Sequence, residues 1–494
     1  MARDTEALRW LGWSFVAVGL VAAPCGCSQA RQRIEKAQSI YAAGDPAGAH
    51  ALLADTGATG LRSETRDALL WRMEEGKTAQ DAGKFEESWT VLTEASLLSD
   101  RFDLEWSTTT LPEELGAITV NDRLRTFRGS YADRIAIENA RIIAALSRHD
   151  GSGAAVAARR AIERQRDAEI EQEKRIAKID DEISKRGGGD AVQAILGREG
   201  VDLTVAYTAY LNPLASWLSG MLQSSTGDGN DRQRGDTDLR RALAMMPENK
   251  TLLAQVEHNP FDRARDGAPQ VMVLFENGMA PRLEQITIPL ITPWLGLSTI
   301  PLPKQVRNPR PAYAVDVRGG DSVVRTETLA DYDAIWERDF QQRLPEIILR
   351  TAVMVAAKEA ATFAASEPLR RRGRDGDSGA ALGQIAVLIA ASAYKYVTNQ
   401  SDLRTWRSVP AEVQIAQLPR PADGIVEVGV AGGPMTRVAL PDAPVTLVWV
   451  RSAVPGQLLI RAVPLQSGGT APGPAADCPP EHTVSRPLTF GASS

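Results

Sequence analysis

VMVLFENGMAP, Val271 to Pro281, is where this chain changes character. Five consecutive apolar residues, Val271-Met272-Val273-Leu274-Phe275, run into the turn residues Asn277 and Gly278. A run this short, with β-branched and aromatic members and a breaker behind it, reads as a buried strand. Upstream of it, as far as His258, apolar residues fall at helical spacing. Downstream the chain keeps returning to short apolar strands. The fold class that follows is α+β, with helices gathered in the front half and strands in the back.

Working back from Val271, the helical part is written as hairpins. Ile34, Ala37, Ile40 and Tyr41 share a helix face, Gly44-Asp45-Pro46 turns the chain, and a helix restarts over Ala47 to Leu53. Leu69 to Gln80, the turn Ala82-Gly83-Lys84 and Phe85 to Leu98 repeat the pattern. A third unit is Tyr131 to Ser147, the loop Asp150-Gly151-Ser152-Gly153 and a long helix from Ala154. A fourth is Ala206 to Leu222, an acidic glycine-rich loop and Thr237 to Met246. Gly44 and Gly83 sit near tetratricopeptide spacing but not on it, so the repeats are degenerate. Helical pairs of this kind bury their apolar faces by stacking, which predicts a short solenoid. Ala154 to Arg186 is densely charged, with one seam of Ile176, Ile179 and Ile183. It reads as a solvated helix packed on one face, ended by Gly187-Gly188-Gly189.

Working forward, Ile286 to Leu290, Tyr313 to Val317 and Val323 to Thr326 are further strands, with a proline-rich passage from Pro289 to Pro311. A long helix follows over Leu329 to Ala365, with Pro345 expected to kink or break it. Arg370-Arg371-Arg372-Gly373-Arg374-Asp375-Gly376-Asp377 is a breaker, and Ala380 to Tyr396 another apolar helix. Strands return at Glu412 to Gln417, Gly424 to Val430, Val445 to Val450 and Gln457 to Ala462. The tail from Gln466 is rich in Gly, Pro, Ser and Ala, a composition that does not support a core. The expected units are 1–27 as a signal, 28–258 as the helical domain and 259–328 with 398–465 as the two parts of a β-rich domain. A helical hairpin insertion fills 329–397, and 466–494 is a disordered tail.

The address comes from the start of the chain. Arg3 and Arg9 precede an apolar run, Trp10 to Pro24, that ends in Cys25-Gly26-Cys27-Ser28. A basic start, a short apolar core and a small-residue cleavage zone make a secretory signal. A cysteine just past the core is the lipid acceptor of lipoprotein processing. Gly26 suits the cleavage point, which favours Cys27 over Cys25. The run is short for a spanning helix of about 20 residues. Ser28 and Gln29 follow, and the absence of Asp there favours the outer membrane of a bacterium. Of three cysteines, only Cys478 lies outside this region, so no disulfide framework is implied. With 56 Lys and Arg against 62 Asp and Glu, the net charge is −6. That balance lacks the basic footprint of a nucleic-acid binder.

Three local stretches carry a resemblance: the strand and turn Val271 to Pro281; Asp402-Leu403-Arg404-Thr405-Trp406-Arg407-Ser408-Val409-Pro410-Ala411-Glu412; and the hairpin Trp71 to Leu92. The layout resembles a poorly characterised family of bacterial envelope lipoproteins with tetratricopeptide-like helices in front of a mixed α/β half. The resemblance spans roughly Glu35 to Val463. It implies an envelope protein and brings no established reaction or ligand.

Chemistry-bearing patterns are few. His50, His149, His258 and His482 lie far apart, with no zinc-type spacing, so no cofactor or metal is expected. Gly76-Lys77-Thr78 has the ending of a phosphate loop, but the earlier glycine position is Trp71 and the stretch is helical. Gly376-Asp377-Ser378-Gly379 matches a protease nucleophile segment without its partners. Asp228, Asn230, Asp231 and Asp236 miss the calcium-loop order. Trp406 between Arg404 and Arg407 is the one constellation with two readings. Arginine stacked on tryptophan holds the entry to the last sheet, or the three form a binding edge for a peptide or glycan. The expected role is a non-enzymatic, lipid-anchored scaffold or adaptor for envelope proteins, with a partner segment docking on the solenoid's concave face. The alternative is a membrane-inserting homo-oligomer built from the hairpin Ile348 to Ala393. A hydrolase with an unrecognised site is the lesser alternative.

Overall fold

The computed structural model describes residues 25–55, 57, 60, 62, 66–108, 126–185, 212–292, 296–374 and 400–465. Within these, helices fill the front of the chain and strands the back, so the molecule is α+β. The front helices are α1 (Cys25–Ala42), α2 (Pro46–Ala54), α3 (Ala68–Asp81), α4 (Phe85–Thr108), α5 (Tyr131–Ser147), α6 (Gly151–Lys185), α7 (Pro213–Ser224) and α8 (Gly229–Met245). Two short helices, α9 (Lys250–Glu257) and α10 (Pro260–Arg265), lead into the sheet. Each helix packs on the next in chain order from α1 to α9. Side chains set their starts: Asp45 caps α2, whose first residue is proline. Ser130 and Asp133 make a reciprocal cap on α5, and Asn212, Asp228 and Asn249 cap α7, α8 and α9. Gly44 (φ +88°) and Gly83 (φ +77°) supply the left-handed turns of the first two hairpins.

The strand at Val271 is the centre of the back half. β1 (Gln270–Asn277) lies between β10 (Val445–Ser452), parallel, and β7 (Glu412–Pro419), antiparallel. β11 (Leu459–Pro464) and β6 (Glu327–Asp331) complete the order β11-β10-β1-β7-β6. Both faces are covered, which is why β1 is a continuous apolar run instead of an alternating one. Met272, Leu274, Ile415, Leu447 and Trp449 join the helices in one core. Val271, Val273, Phe275, Leu418 and Val450 join Val315, Val317, Val426 and Val428 of a second sheet. That second sheet has the order β5-β4-β8-β9, from β4 (Val315–Gly319), β5 (Ser322–Arg325), β8 (Ile425–Val430) and β9 (Thr436–Ala439). The body is therefore three layers: helices, a mixed sheet and an antiparallel sheet.

An arm with its own core leaves this body. β2 (Arg282–Thr292) and β3 (Gly296–Val306) form a long antiparallel hairpin. It packs against α11 (Tyr332–Arg374) through Ile286, Ile288, Ile300 and Leu302 on one side and Phe340, Leu344 and Ile348 on the other. α11 is rooted in the body by its first turns. Asn139 donates to the Tyr332 hydroxyl at 2.8 Å, and the Trp336 indole donates to Asp133 at 3.0 Å.

Several sequence expectations need correction. The proline-rich passage holds the end of β2, which contains the expected strand Ile286 to Leu290, and all of β3. Pro289, Pro301 and Pro303 share one parity, and all eleven pairs of the ladder persist, so their nitrogens sit where no ladder donor is required. Leu329 to Asp331 is strand, because it pairs with β7, and the helix starts at Tyr332. That helix runs on through Pro345 and Pro368 to Arg374, so Arg370 to Arg374 extend the helix instead of breaking it, with Glu367 pairing to Arg370 and Arg371 one turn on. Asp228 is a helix cap, and Asn230, Asp231 and Asp236 lie inside α8. The third hairpin turns at His149 (φ +60°), and Asp150 caps a helix already begun at Gly151. The signal up to Pro24, the segment 186–211, the helix at Ala380 to Tyr396, Gly376 to Gly379 and the tail from Gln466 lie outside the described residues.

Candidate binding cleft

The segment 400–411 has no regular structure, and it ties the arm, the helical layer and the mixed sheet together. It runs from the arm, where the Ser401 amide donates to the Gln285 side chain at 3.0 Å, to the start of β7. Arg404 grips Asp402 with two hydrogen bonds, at 2.7 and 2.6 Å, and reaches Asp67 at the start of α3 at 2.7 Å. Its guanidinium lies 5.5 Å from the centre of the Phe127 ring. The aromatic partner of Arg404 is thus Phe127. Trp406 is fully buried, with its indole donating to the Ser408 hydroxyl at 3.0 Å. Arg407 contributes its backbone amide, which donates to Glu74 at 2.7 Å. Burial pushes the Glu74 carboxyl up, against these donors. Burial also opposes charge on Asp402, but Arg404 overcomes it and holds that carboxyl below its usual range.

Next to this strap, a buried polar cluster joins helices to sheet. Lys77 is 1% exposed and donates to Glu276 at 2.6 Å, Asp81 at 2.9 Å and Gln80 at 2.8 Å. Arg451 meets Asp81 at 3.0 Å, the Tyr41 hydroxyl at 2.7 Å and the Ser408 carbonyl at 3.0 Å. Two cations face two carboxylates across α3, β1 and β10. The lysine of Gly76-Lys77-Thr78 is therefore committed to structure, with no face left for a phosphate.

A cleft of about 150 Å³ opens where arm and body meet. Phe127, Ser130, Tyr131, Asp133 and Arg134 wall it from the body; Pro281, Leu283, Pro303 and Gln305 from the hairpin base; Trp336, Phe340, Arg343 and Glu346 from α11. Asp402, Arg404 and Thr405 of the strap close it. The side-chain amide of Gln305 is buried with neither its nitrogen nor its oxygen partnered among the described residues. Burial raises the Asp133 carboxyl, and the neighbouring Asp339 adds to the shift. The walls offer aromatic surface, both charges and hydrogen-bonding groups, a surface suited to holding a peptide-like ligand. Of the residues singled out in sequence, Arg404 borders the cleft, while Trp406 and Arg407 lie behind it. Gln305 and Trp336 carried no local signal, because only the hairpin and α11 together bring them to one place.

Cys25 and Cys27 lie in the first turn of α1. Among the described residues no helix is long and apolar enough to cross a membrane, and no group of His, Cys, Asp or Glu is placed to hold a metal ion. No family model, curated protein or solved structure matches the chain.

Proposed function

We propose that this chain is a lipid-anchored adaptor of the bacterial envelope, held at Cys27 or Cys25, that binds partner proteins. The front helices, packed in chain order, are a degenerate tetratricopeptide-like stack in this reading. Their inner helices α3, α5 and α7 are buried almost throughout, and α5 and α7 pack against sheet strands. A partner docking there would have to displace the chain's own sheet. The cleft between body and arm is the better dock, and the observation that carries this is its mixed aromatic and charged lining around the unpartnered Gln305 amide. Buried polar groups are nearly always satisfied, by protein or by ordered water, so the Gln305 amide leaves hydrogen-bonding capacity in the cleft wall that water or a bound molecule would take up.

The test is in-cell photocrosslinking from Thr126, on the exposed rim of the cleft. A reproducible adduct with another envelope protein, lost in Gln305→Trp while the melting temperature holds, is the expected result. Adducts to the chain itself alone would replace this reading with self-association, and no adduct would remove it.

A further inference from the structure

Resting on the lipid-anchor reading, we infer that the anchor carries no tether: the body lies directly against the lipid headgroups, by the face around the start of α1. Chain length alone leaves no room for a tether. Ala30 is fully buried and Ile34 nearly so, and both belong to the main core. Ala30 stands three residues beyond Cys27. Three residues reach about 5 Å as helix and about 10 Å fully extended. If Cys25 carries the lipid, the reach is still only about 17 Å extended. Whatever conformation those residues take, the first core residue sits within about 10 Å of a lipid on Cys27, or about 17 Å of one on Cys25.

The start of α1 is also bound to its neighbours, so it cannot swing out to lengthen the reach. Arg33 donates to the Leu52 carbonyl at 2.8 Å and pairs with Asp55, at the end of α2. Arg31 lies 3.6 Å from Asp67, the residue that Arg404 of the strap also grips. The lipid-facing surface is therefore the first turns of α1 and the exposed end of α2 around Asp55. The partner for this surface is the headgroup plane of the anchoring bilayer. Reach toward other envelope components then falls to the arm, whose 43-residue helix α11 spans about 64 Å.

The experiment uses the full chain, processed in a bacterium and reconstituted in vesicles of phosphatidylethanolamine and phosphatidylglycerol. An environment-sensitive fluorophore is attached at Ala54→Cys, on the exposed end of α2 beside Asp55, or, at the far end of the helical layer, at Arg234→Cys, each in a Cys478→Ser background that also carries Cys27→Ser where Cys25 proves to be the lipid acceptor. Headgroup-level lipid quenchers report depth, and uptake of an alkyne-tagged fatty acid reports lipidation. Several-fold stronger quenching at position 54 than at 234 is expected. It should disappear when a long Gly/Ser linker is inserted between Ser28 and Gln29. A chain that takes up fatty acid but is quenched equally at both positions overturns this inference alone. A chain that takes up none overturns the anchor and the inference with it.

Discussion

Lys77 is the residue on which helices and sheet depend most directly. Its ammonium lies between Glu276 and Asp81 and 5.4 Å from the centre of the Trp449 ring. Removing one member of a buried ion cluster leaves its partners charged and unsolvated, a loss of about 3–5 kcal/mol. Lys77→Ala is expected to lose that much in urea unfolding, and Lys77→Met less, because it refills the volume. Glu75 gives a different signature. Burial, opposed by Arg62 at 2.9 Å, pushes its carboxyl from 4.5 to about 7. Between those values the folded chain holds a proton that the unfolded chain has released. The stability this carboxyl contributes is thus full below pH 4.5 and is lost as the pH rises to 7. Glu75→Gln should flatten the fall in stability between pH 5 and 8 and gain up to about 3 kcal/mol at pH 8. A variant whose profile parallels the parent's would show that Glu75 ionises normally.

At the scale of elements, the crossing of α7 and α8 is the most exacting. A Cβ on Gly235 would stand 2.8 Å from the Gly220 carbonyl oxygen, and one on Gly220 would stand 3.0 Å from the Gly235 carbonyl oxygen. Neither backbone can give way as a flexible side chain would. Gly235→Ala is expected to cost about 1–3 kcal/mol in thermal or urea unfolding, against little for Gly229→Ala, which meets open space. The same contrast shows what was legible in sequence. The hairpins α1–α2 and α3–α4 were readable because Gly44 and Gly83 mark turns between periodic helices. The strand at Val271 was readable because burial on both faces leaves an unbroken apolar run. Of β2–β3, the stretch Ile286 to Leu290 was readable as strand, and β3 was hidden because Pro301 and Pro303 argue against strand until pairing shows that they sit off the ladder. β6 was hidden because Leu329-Ala330 also suits a helix, and only pairing to β7 decides. Arg404 was found through its neighbours Trp406 and Arg407. The cleft was not, since four segments far apart in sequence build it.

At the scale of the molecule, the question is whether the helical layer is a domain at all. Composition divides the chain near His258, and stacked helical pairs are ordinarily self-supporting. Here the division is only compositional. Tyr41, Gln38, Glu74 and Asp67 bond to the strap, Lys77 and Asp81 to β1 and β10, and Asn139 and Asp133 to α11. Leu69, Met73, Ile142 and Trp217 share one core with Leu274, Ile415 and Trp449. Cutting after Arg265 would open that core along the inner helices and strip Glu276 from Lys77, Arg451 from Asp81 and Trp336 from Asp133. A fragment of residues 28–265 is therefore expected to lack a cooperative thermal transition and to bind a hydrophobic dye, while the full chain melts its helical and aromatic signals together. A sharp, reversible melt of the fragment would mean that the sheet is only docked on the helices, and that their inner face is open to a partner whenever the sheet leaves.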